Sequence, residues 1–109
     1  MQRHSTLLIG TLALLALCLQ AAPRSAAAAG EREIFIQRCG SCHGKGRKAP
    51  AVNPADFAAV QWKNFFKRHK HRRIEDISGL LSPDEAAAVL RYLQRHAADS
   101  DQPEVAAIP

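Results

Sequence analysis

Apolar positions recur along this chain at helical spacing, and no stretch keeps the two-residue alternation of a strand. Glu31 to Arg38 reads as a first helix that runs on into residues 39–43, with Ile34, Phe35 and Arg38 on neighbouring rows. Gly44, Gly46 and Pro50 punctuate residues 44–52, which read as a loop. Asn53-Pro54-Ala55-Asp56 has the order of a helix start: Asn as N-cap, Pro at the first helical position, an acid in the first turn. That helix is predicted from Pro54 to about Lys70. Ile74 to Leu81 is a short apolar connector with a turn at Gly79. Ser82 and Glu85 have capping-box spacing around Pro83. The helix they open carries Ala86, Val89, Leu90, Leu93 and Ala97 on one stripe. The sequence turns polar after Ala98, and residues 99–109 are expected to form an extended or disordered tail. There is no internal repeat. The pattern predicts an all-α fold of about three helices.

The N-terminal block is of another kind. Leu7, Leu8, Ile9 and the run Leu12 to Leu17 make an apolar stretch behind Arg3 and His4. Ala-x-Ala registers follow between Ala26 and Ala29. This is the layout of a secretory signal peptide over residues 1–28. The stretch is short for a membrane span, which needs about 20 apolar residues, so no integral span is expected after cleavage. Cys18 lies inside it. Leu17 stands where a lipoprotein anchor would want a small residue, so Cys18 is read as part of the leader. An uncleaved anchor is the competing reading.

Removal of that leader leaves 81 of the 109 residues, a single small domain over 29–98 plus its tail. A domain of that size builds a marginal core and usually needs a staple. Arg3 and Arg24 would leave with the leader, so 15 Lys and Arg become 13 against 10 acidic residues. The excess is concentrated in Lys63, Lys67, Arg68, Lys70, Arg72 and Arg73. Such a run is either the wet face of an amphipathic helix or a patch that steers acidic partners. Nucleic acid is not expected as a partner of an exported chain.

Candidate chemistry centres on Cys39-Gly40-Ser41-Cys42-His43, the attachment pattern of a c-type haem. Each thiol can add across one haem vinyl group, and the adjacent imidazole reaches the iron. A Cys39–Cys42 disulfide is the plainer alternative in an exported protein, but His43 directly after the pair favours haem. A thioredoxin-like motif would sit in a βαβ pattern, which is missing here. A zinc site would need a second ligand pair. One covalent haem c, with its iron, would also supply the staple that the small core lacks.

Residues 34–43 and Leu90-Arg91-Tyr92-Leu93 resemble the two terminal helices of class I cytochromes c. The resemblance implies that Phe35 and Tyr92 meet at a helix crossing, and that the Pro50 carbonyl orients His43. It also implies a small bundle wrapped around one covalent haem. The middle of the chain departs from that family. Its usual distal ligand is a methionine, whereas this chain has only Met1, inside the leader.

Histidine is therefore expected on the distal side. His69 follows Trp62, Phe65 and Phe66 at offsets of seven, four and three, so a continuous helix would place all four on one face. It ranks first. His71 becomes the competitor if the helix ends near His69 and the chain turns. His96 ranks third. A plain solvated basic run, with histidine as filler, is the alternative for the pair. Deprotonated lysine is a poorer ligand near neutral pH because of its high pKa. These residues lead to a periplasmic, non-enzymatic electron carrier with a bis-histidine haem of low-to-middle potential and protein redox partners. The alternative is a gas-binding or gas-sensing haem protein with an open or labile sixth site. A small haem enzyme is the weakest reading, since no acid-base pair accompanies the motif.

Overall fold

The computed structural model describes the backbone of residues 23–109, with side chains from residue 30 onward. Met1, the apolar stretch of residues 7–17 and Cys18 lie outside the described residues, as does most of the expected leader. Three α-helices make the frame: α1 (Pro23–His43), α2 (Ala59–Lys67) and α3 (Pro83–Arg95). Single 3-10 turns at Pro54–Asp56 and Lys70–Arg73 flank α2. There is no strand among the described residues, and the fold is the small all-helical one the periodicity predicts.

The frame is held where α1 meets α3. Phe35 and Tyr92 are each 1% exposed, and their ring centres lie 5.2 Å apart. Val89, Leu93, Ala97 and Trp62 complete the core around them. Burying each large apolar side chain stabilises by about 1.5–3 kcal/mol. Glu31, also buried, accepts hydrogen bonds from Arg91 and Arg95, each at 2.7 Å. Burial pushes its carboxyl up, but the two guanidinium hydrogen bonds and charges outweigh that and hold it below its ordinary value. Arg38 reaches across to Glu85 at 2.9 Å. Glu85 also closes the start of α3: it accepts the Ser82 N–H, and its own N–H donates to Ser82 Oγ, both at 3.1 Å.

The helix expected over 54–70 is divided. Asp56 accepts the Asn53 N–H at 2.7 Å, so the start signal works locally. The turn it opens ends at once, because Phe57 is extended (φ −139°, ψ 157°) and α2 begins afresh at Ala59. The backbone exposed by this break is satisfied by the far end of the chain. Phe57 C=O accepts from Ala98 N–H at 3.0 Å, and Ala59 N–H donates to Asp99 Oδ1 at 2.8 Å. A cap forty residues downstream leaves no local signature.

The same segment continues as a strap over α1 and α3. Glu104 accepts from Tyr92 Oη and from Arg32 Nε, and its N–H donates to the His96 carbonyl at 3.1 Å. Ala107 is fully buried, and a Cβ on Gly40 would sit 3.2 Å from Ile108 Cγ2. Residues 99–109 are irregular in backbone yet packed.

Candidate haem site

The C-terminal end of α1 carries Cys39, Cys42 and His43, at i, i+3 and i+4, on one side of the helix. Both thiols are free and half-buried. Burial, and secondarily the neighbouring Cys42, push the Cys39 thiol up to about 12. The chain must turn sharply after His43. Gly44 N–H donates to Gly40 C=O at 3.0 Å, and a Cβ at Gly44 would stand only 2.7 Å from that oxygen. Gly46 takes φ +71°, in the left-handed region that favours glycine. Ala49 N–H then returns to Cys42 C=O at 3.0 Å.

This loop delivers Pro50 to the imidazole. His43 Nδ1 lies 2.5 Å from the Pro50 carbonyl oxygen. A carbonyl only accepts, so Nδ1 carries the proton and Nε2 keeps the lone pair. A hydrogen bond of this kind fixes the tautomer and orientation of a metal-ligating histidine and raises its basicity. The Pro50 carbonyl thus meets His43.

On the other side, α2 ends at Lys67, and Arg68 N–H caps back to Asn64 C=O. His69 follows in the left-handed conformation (φ 47°, ψ 42°), and its side chain is exposed. The continuous face expected from Trp62 to His69 therefore stops at Phe66. The ring next to His43 belongs to His71, in the 3-10 turn that follows. Their centres are 6.2 Å apart with planes at 85°, and His71 also lies 6.3 Å from Phe65. His71 Nδ1 donates to its own turn, at Glu75 C=O, 2.8 Å away. His96 is engaged elsewhere, with Nδ1 to the Gln102 carbonyl at 2.8 Å and its ring 4.9 Å from Tyr92. The apolar periodicity of α2 ceases after Phe66 in the sequence itself. That was the available sign that the helix stops before His69.

Lys48, in the loop after His43, holds the Glu75 carboxylate at 2.8 Å. The ion pair ties the segments bearing the two imidazoles. Glu75 is held below its usual range chiefly by that hydrogen bond.

These residues suit a haem. Two thiols and an imidazole close one helix, a second imidazole stands near the first, and both rings keep Nε2 free of the carbonyls that orient them. Phe57 and Leu80 are 45% exposed and Ile74 87%, so the middle segment leaves large apolar groups uncovered by protein. No three His, Cys, Asp or Glu side chains gather into a metal cluster among the described residues. No helix among them is long and apolar enough to cross a membrane.

A family model, cytochrome C oxidase, cbb3-type, subunit III, matches residues 26–93. Neither the curated proteins nor the solved structures yield a match. The matched span takes in most of α1 with its haem motif, the whole middle segment and most of α3. The chain therefore belongs to the cytochrome c oxidase cbb3-type subunit III family, as a c-type cytochrome with one covalently bound haem c.

Proposed function

We propose that this protein is a periplasmic carrier of single electrons whose haem iron takes a histidine on each face. The observation that carries this reading is His43 with Nδ1 fixed by Pro50, its ring 6.2 Å from a second imidazole, in a chain whose sole methionine is Met1. The haem, when bound, supplies a one-electron ferric/ferrous couple. The chain does the rest. Cys39 and Cys42 would hold the group by thioethers. Pro50 aims the His43 lone pair. The α1–α3 crossing would give the group a packed wall.

Lacking methionine, which raises the potential of haem iron, such a site sits lower than a His/Met cytochrome. The apolar leader supports export, where haem is coupled to cysteines. Lys63, Lys67, Arg68, Lys70, Arg72 and Arg73 are all exposed. They favour acidic redox partners, with association that slows as salt rises. In this reading the protein transforms no substrate.

The test is a potentiometric titration of the matured protein, with spectra taken before and after carbon monoxide. The expected result is a reversible one-electron couple, low-spin in both states, with no carbon monoxide adduct. A high-spin ferrous spectrum that shifts on adding carbon monoxide would move the protein to gas binding.

A further inference from the structure

We propose that His71, and not His69, supplies the second axial nitrogen to the haem iron. The inference rests on the bis-histidine reading above and names the residue that completes it.

Three observations point to His71. The first is separation. Imidazoles that share one metal have centres two metal–nitrogen bonds and two ring radii apart. With bonds of about 2 Å, the 6.2 Å between His43 and His71 is such a spacing. The second is preparation of the ring. His71 Nδ1 faces the Glu75 carbonyl at 2.8 Å, as His43 Nδ1 faces that of Pro50. Each proton is thereby placed on Nδ1, and Nε2 is the ligating nitrogen on both. The third is the scaffold. Glu75, whose carbonyl orients His71, is tied through its carboxylate to Lys48 in the loop behind His43. The two ligand-bearing segments are thus joined directly.

His69 has a different occupation. It ends α2 in the left-handed conformation, a place that glycine or asparagine usually fills. Its N–H donates to Phe66 C=O at 3.1 Å, and its own carbonyl accepts from Arg72 N–H at 3.1 Å. Its contribution is to the backbone: it reverses the chain so that His71, two residues on, faces α1. His96 is held by the strap.

The experiment is a set of full-length holoproteins matured with a c-type assembly system: wild type, His71→Ala, His71→Met, His69→Gly and His96→Ala. Ferric and ferrous spectra, carbon monoxide binding and reduction potential are read for each. His71→Ala should turn high-spin and bind carbon monoxide, and added imidazole should restore the low-spin spectrum. His71→Met keeps a ligand where the alanine variant does not mature, and should raise the potential. His69→Gly and His96→Ala should keep the wild-type spectrum and potential. A low-spin, carbon monoxide-resistant His71→Ala overturns the assignment. So does a His71→Met whose potential is unmoved. Loss of the low-spin state in His69→Gly or His96→Ala would transfer the ligand there, leaving the bis-histidine reading intact. A high-spin wild type would instead remove that reading.

Discussion

The α1–α3 crossing and the middle segment, residues 52–82, are built on different terms. At the crossing, protein covers protein: Phe35, Val89 and Tyr92 are buried, and Glu31 is neutralised by two arginines. In the middle, short turns carry Phe57, Ile74 and Leu80 with little cover, and order comes from distant partners such as Asp99 and Lys48. The crossing, with Trp62 of α2 packed against it, is the protein core. Apart from Pro54 and Trp62, the middle is a surround that a large apolar group completes, and its turn at residues 70–73 buries no side chain of its own. The structural region and the ligand-bearing region are thus separable, and substitutions should report on one without the other.

The largest expected effect is at the crossing. Phe35→Ala removes the ring that Tyr92 packs on and should cost about 3–5 kcal/mol, seen in denaturant unfolding of the holoprotein. If it costs under 1 kcal/mol, the crossing is not the frame.

Next is Glu31→Gln, with an expected loss of about 1–2 kcal/mol at pH 7, reduced by the partial exposure of both arginines. The sign with pH follows from the lowered folded pKa of Glu31. Its stabilisation is present above the unfolded value, about 4.3, and is lost as pH falls through the folded value. Wild type and variant should therefore converge in acid. A gap that stays constant with pH would refute the ion-pair account.

The finest comparison sets a local cap against a distant one. Ser82→Ala and Asp99→Ala each remove one capping acceptor, for about 1 kcal/mol apiece. Ser82→Ala should weaken the protection of α3 amides against hydrogen exchange. Asp99→Ala should instead loosen the start of α2, while α3 keeps its protection. Equal loss in both helices for either variant would deny that the two regions are separable.

What the sequence reveals divides along the same line. The start of α3 is legible because Ser82, Pro83 and Glu85 act within one turn, and its apolar stripe packs as its period predicts. The haem motif and the Phe35–Tyr92 contact follow from local pattern and family resemblance. The break at Phe57 is not legible, since the groups that satisfy it lie in residues 98 and 99. The tail reads as polar, but its hold depends on Glu104 meeting Tyr92 and Arg32, and on one alanine finding a fitted space. A helix running to about residue 70 favours His69 over His71. The left-handed turn at His69 moves the next imidazole toward His43, and such a turn at a non-glycine residue has no composition signal.

The central claim is that two imidazoles share one iron, and near-infrared magnetic circular dichroism of the ferric protein tests it most directly, because its charge-transfer band reports the axial pair. The account predicts a low-spin bis-imidazole band. A high-spin spectrum, or a low-spin band of imidazole paired with an amine or a thioether, would contradict it.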